Sequence, residues 1–155
     1  MTVAKNQRAG EYRQIGCATR GGAISQATED AAIALARKHK AQIIFVYVVD
    51  TSFAYGQTSK LPMEVVQAEI RNLGELILQQ ASLKAKEQGI AARTEVREGA
   101  IATEIAAFVQ RHKKLDALVV GQMGDELHQH IVRALNELED RVVDLIVVRP
   151  EQPQG

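Results

Sequence analysis

The chain has 155 residues, 46% of them hydrophobic and 25% charged, with 19 basic side chains matched by 19 acidic ones. That length suits one domain with a proper core, and the balanced charge supplies no field to draw in nucleic acid or an anionic membrane. The longest apolar run, Ile43 to Val49, is too short to span a bilayer, and Met1 to Glu11 lack the apolar stretch of a signal peptide, so a cytoplasmic protein is expected.

Residues 1–11 read as a flexible N-terminal tail, 12–150 as a single domain and 151–155 as a C-terminal tail. Gln14 to Ala18 is a short apolar strand that closes on the loop Thr19-Arg20-Gly21-Gly22. From Ile24 to Lys40, Ile24, Ala27, Ala31, Ala34 and Leu35 recur at helical spacing, with Ser25 as the expected N-cap and a basic end at Arg37-Lys38-His39-Lys40. Ile43 to Val49 is apolar on both faces, as a parallel strand between two helix layers must be. Thr51 to Leu61 reads as a loop. Pro62 then opens a long helix whose expected buried stripe is Val66, Ile70, Leu73, Ile77 and Ala81, and Gly89 stops it.

Thr94 to Arg97 is a short polar strand near an edge. Ile101, Ile105, Phe108 and Val109 mark another helix, ending in Arg111-His112-Lys113-Lys114. Asp116 to Val120 is a central strand that runs into the turn Gly121-Gln122-Met123-Gly124. Leu127, Ile131, Ala134, Leu135 and Leu138 share one face of the last helix, and Val142 to Val148 form the closing strand before Pro150. Strands and helices alternating at these lengths predict a three-layer α/β/α sandwich around a mostly parallel, doubly wound sheet.

In such sheets ligands sit beyond the carboxyl ends of the strands, where strand order reverses. The candidate cleft therefore comprises Ala18, Thr19, Arg20, Val49, Asp50, Gly121, Gln122, Met123 and Gly124. His128 and His130 project about 200° apart on a helix and make a poor chelate, so no metal site is expected. Cys17, alone in an apolar strand, reads as a small hydrophobe, since a reactive thiol needs an exposed electropositive setting. Ser25 and Thr28 have no histidine–acid pair beside them, and no nucleophile–base–acid set stands out, so the expectation is a non-enzyme. The apolar last strand invites pairing with a second copy, which makes Val143, Leu145, Ile146, Val147 and Val148 the expected homodimer interface.

Several pieces together carry a family resemblance. They are the first strand with its small-residue loop, Val48-Val49-Asp50, Val96-Arg97-Glu98-Gly99, the run Leu115 to Gly124, and Leu145-Ile146-Val147-Val148-Arg149-Pro150. In this order the chain resembles the universal stress protein family from Ile15 to Val148. The resemblance implies a five-stranded, adenine nucleotide alpha hydrolase-like fold, dimerisation through the last strand and a small regulatory or stress-response role, with ATP or AMP as the candidate ligand. In the family's ATP-binding subset an aspartate ends the first strand, and Gly-x-x-Gly is followed after nine residues by Gly and then Ser or Thr. Here Arg20 stands at the aspartate's place, and guanidinium donates hydrogen bonds but accepts none. Counting on from Gly124 puts the motif's second half at Ala134-Leu135, and counting back from the last strand puts it at Ile131-Val132. Asp125 and Glu126 add negative charge beside the expected phosphate position. The expectation is thus a non-enzymatic module with weak or lost ATP binding, the alternative being an adenine-nucleotide or other anionic-metabolite binder.

Overall fold

The computed structural model describes residues 2–3, 11–50 and 62–149. The strands are β1 (Thr2–Val3), β2 (Gln14–Ala18), β3 (Gln42–Val49), β4 (Ala92–Glu98), β5 (Ala117–Gly121) and β6 (Asp144–Val148). Between them lie α1 (Gly22–His39), α2 (Met63–Glu87), α3 (Ile101–Arg111) and α4 (Asp125–Asn136). The sheet order is β1-β6-β5-β2-β3-β4, and the five strands from β6 to β4 are parallel. The expected loop at 51–61 and the C-terminal tail fall outside the described residues. Part of the segment read as an N-terminal tail joins the sheet: Thr2 and Val3 pair antiparallel with Val147 and Ile146 at its outer edge.

Alternate residues of each buried strand feed opposite faces, as a period of two dictates. Ile15, Cys17, Ile43, Phe45, Ala117, Val119, Ile146 and Val148 pack under α1 and α2. Ile44, Val46, Leu118, Val120 and Leu145 meet α3 and α4 on the other side, with Phe108 and Ile131 at 0% and 1% exposure. Each such fully buried aliphatic or aromatic side chain contributes about 1.5–3 kcal/mol of burial free energy. Both faces are covered, and this is why β3 reads as one continuous apolar run.

The expected stripe of α2 holds at Ala81, with Ile70 and Ile77 half-buried against the core, and departs at Leu73. Gly74, Leu78, Ala81, Ser82 and Ala85 are the buried residues, while Leu73 is 55% exposed. The cause is a close approach: a Cβ on Gly74 would lie 2.3 Å from Tyr47 Cδ1, so the helix seats its glycine on the tyrosine ring and swings Leu73 outward. At the start of α1 the N-cap is Gly21 without a side-chain cap; Ser25 instead accepts the Arg20 N–H on Oγ at 2.9 Å. At the end of α3, Arg141 reaches across to donate to the carbonyls of Val109 and His112, completing acceptors that the helix itself leaves open.

A cluster of charges pins β4 to α3. Arg97 bonds Glu95 and Glu104, each at 3.0 Å, and His112 Nε2 lies 3.0 Å from Glu95. Partial burial raises the pKa of Glu95, but its hydrogen bonds with His112 and Arg97, together with their charges, outweigh that and hold it below the usual carboxylate value. A depressed carboxylate adds stability that is present above its unfolded pKa and lost as pH falls through its folded value. Glu95→Gln should therefore remove part of the stability loss that acid titration shows below about pH 4.5, as read by urea unfolding at successive pH values. Gly74→Val should lower the unfolding free energy by about 1–3 kcal/mol through overpacking against Tyr47, measured by denaturant titration.

Candidate functional site

Strand order reverses between β2 and β5, each with its carboxyl end at the same rim. A two-lobed cleft opens there. The first lobe, about 200 Å3, is bounded by Ala18, Arg20 and Gly121-Gln122-Met123, with Ile24, Leu127 and Ile131 as apolar walls. The second lobe, about 300 Å3, lies over the ends of β2 and β3, with Thr19, Asp50 and apolar Val46, Val48, Ile70 and Ile101. Ala18, Arg20 and Ile105 line both lobes. The first lobe falls below, and the second at the lower limit of, the roughly 300–1,000 Å3 range of ligand pockets.

Most of the sequence-derived set is brought together. Ala18, Thr19, Arg20, Asp50, Gly121, Gln122 and Met123 line the cleft, while Val49 is buried beneath it and Gly124 lies outside it. The apolar lining from Ile101, Ile105, Leu127 and Ile131 was not singled out as site residues, because a helix stripe at core spacing gives no sign of which turns border a cavity. Gly121 has a packing role: a Cβ there would meet Thr28 Oγ1 at 3.0 Å, so its absence lets α1 press against the end of β5. Asp50 points to α3, where its Oδ2 accepts the Ile101 N–H at 3.3 Å at the helix start. Among the described residues no group of three His, Cys, Asp or Glu side chains gathers to hold a metal ion.

Below the loop lies a buried ionic contact that the sequence reading did not single out. Glu29 on α1 is 5% exposed, and the Thr19 hydroxyl donates to its Oε2 at 2.6 Å. Lys84 of α2 approaches Glu29 Oε1 at 3.1 Å and Asp30 Oδ1 at 2.9 Å. Burial opposes the charge on Lys84, but hydrogen bonds to Asp30 and Glu29 and their charges outweigh it and raise its pKa. The same carboxylate bears on Cys17, whose thiol is pushed far up, first by complete burial and then by Glu29. The thiol has none of the electropositive, exposed character that reactivity needs.

The electrostatics of the cleft are sparse. Arg20 is the one cationic side chain lining either lobe, and it has no side-chain partner among the described residues. At the opposite rim α4 begins with Asp125 and Glu126 in its first turn, with Gly124 as N-cap. Those carboxylates occupy the helix end whose partial positive charge would otherwise attract an anion.

The profile of the universal stress protein family matches residues 11–149. The chain belongs to that family. A universal stress protein of Methanocaldococcus jannaschii is 29% identical over 147 residues, covering 91% of this chain and 85% of that one. The universal stress protein UspA of Lactobacillus plantarum has the same fold, with a TM-score of 0.65, 21% identity and coverage of 90% of this chain and 99% of its own. A family protein of Arabidopsis thaliana, solved with AMP bound, gives a TM-score of 0.62 at 16% identity, covering 87% of this chain and 91% of that one. The universal stress protein fold is thus shown, with β2 to β6 as its five parallel strands.

Both registers of the nucleotide motif end in apolar side chains here. Ile131 is 1% exposed and walls the first lobe, Val132 is half-buried beside it, and Leu135 is 8% exposed in the core under α4. Thr19→Val should leave Glu29 short of a donor and lower the unfolding free energy by about 1–3 kcal/mol, checked by thermal and urea denaturation.

Proposed function

We propose that this universal stress protein is a non-enzymatic regulatory module that has lost triphosphate binding and acts as a homodimer paired along β6. The observation that carries the loss is Ile131, buried and walling the lobe where a phosphate cradle would need glycine and a hydroxyl. Phosphates are held by main-chain N–H groups that glycine exposes and by unopposed helix N-termini. The acidic first turn of α4 opposes the second of these. The Thr19 hydroxyl at the cleft is tied to a buried Glu29 that is itself paired with Lys84, an arrangement that holds the loop and favours binding over turnover.

A second reading is supported by Arg20, a donor-only cation without a side-chain partner among the described residues, set where the two lobes meet. It favours a compact ligand with one anionic group, an AMP-like nucleotide or another small anionic metabolite, with its apolar part over Val46, Val48 and Ile70. The AMP carried by the Arabidopsis relative fits this reading.

Calorimetric titration with ATP and with AMP separates the two. The first reading expects no ATP binding tighter than about 1 mM, or ~4 kcal/mol; saturation in the micromolar range would sink it. The second expects AMP binding that falls at least tenfold in Arg20→Ala, about 1.4 kcal/mol. If neither nucleotide binds, adenine nucleotides are excluded from the cleft.

A further inference from the structure

The two outer edges of the sheet are treated differently. β4, seven residues long, carries Arg93, Glu95, Arg97 and Glu98, and charges along an edge discourage a second chain from pairing there. β6 carries only the buried Asp144 and is otherwise Leu145-Ile146-Val147-Val148. Its side chains are committed inward, with Leu145 and Ile146 at 1% exposure and Val148 at 8%. What β6 presents outward is its main chain. That edge is met by the chain's own Thr2–Val3, antiparallel, opposite Val147 and Ile146 at the middle of the strand.

A second copy's β6 approaching the same edge about a two-fold axis would also run antiparallel and would need the same main-chain groups. Both cannot pair there at once. We propose that Thr2–Val3 is an internal guard strand that competes with a second copy of the chain for the outer edge of β6, so that release of the N-terminus sets the strength of self-association. The inference rests on the β6 dimer proposed above and adds the device that controls it.

The physics of the competition is asymmetric. The guard offers a ladder of two residues, whereas a second β6 offers five. Against that, the guard is tethered to its target, and a short tether gives an effective concentration on the order of millimolar. Both protomers must release their guards before they pair, so the closed fraction counts twice. A guard closed ten times as often as it is open would weaken the dimer by about a hundredfold. A two-residue strand is also enough to blunt an edge against unspecific pairing, since short edge strands are one of the usual protections.

The test compares the full chain, the double variant Thr2→Pro/Val3→Pro and a chain lacking residues 1–10, by sedimentation velocity over a concentration series. Proline has no N–H, so the double variant loses the ladder whichever residue donates to β6. The expected result is a dimer dissociation constant at least tenfold lower in both variants, reversed in the truncated chain by a synthetic peptide of residues 1–10 at millimolar concentration. Hydrogen exchange across 144–148 in the diluted truncated chain should be faster than in the full chain, which shows that the edge has opened in a folded protein. Equal dimer constants in all three chains overturn the guard and leave the β6 dimer standing. Weaker association on truncation also overturns it, because the N-terminus would then belong to the interface. Monomers throughout overturn both the guard and the dimer reading.

Discussion

A carboxylate buried under the first loop constrains much of what surrounds it. Glu29 is almost wholly removed from water, and an ionised group in that setting needs partners on each oxygen. Thr19 serves one and Lys84 the other, so the loop after β2, the middle of α1 and the last third of α2 are fixed to one another through a single side chain. Thr19 also donates its main-chain N–H to Val46 at 3.0 Å, which ties the same loop to β3. Arg20 follows directly and is held by Ser25. The wall shared by both lobes of the cleft is therefore set from below, by a buried ion pair.

On this base the cleft sits where strand order reverses, and its side chains are mostly apolar. The turn after β5 has a packing role, since Gly121 admits Thr28 of α1. Asp50 is likewise engaged at the start of α3. On α4, Ile131 and Leu135 are buried, and Asp125 and Glu126 stand in the first turn. Through Ile131 and Leu135, α4 adds hydrocarbon to the same core that α3 covers with Ile105, Phe108 and Val109.

Much of this was legible in the sequence. Strands buried on both faces write themselves as apolar runs, and β2, β3 and β5 fall within a residue or two of where composition and loop signals put them. The loops at the cleft followed from topology alone, since ligands gather where strand order reverses. The misses have physical causes. Leu73 looked buried because periodicity counts apolar residues and cannot see that Gly74 would meet Tyr47 first. Ser25 looked like a cap by its place, yet its hydroxyl turns back to Arg20. Glu29 carries no signal in the sequence, because its partners Thr19 and Lys84 come from two other elements that meet it only after folding. Val143 and Leu145 to Val148, the expected interface, pack their side chains on the protomer's own core, so a second copy would meet β6 along its main-chain edge. Thr2–Val3 carries no periodicity at all, being two residues long.

The central strand also holds the chain's single thiol, at 0% exposure in the middle of the sheet. A sulfur so placed meets a labelling reagent only when β2 parts from its neighbours, which requires opening close to the full cooperative unit. Its modification rate is thus a clock for the whole molecule, read at one atom and without any engineered probe. Ligands, guard strand and partner copies would each slow that clock by the free energy with which they hold the folded state.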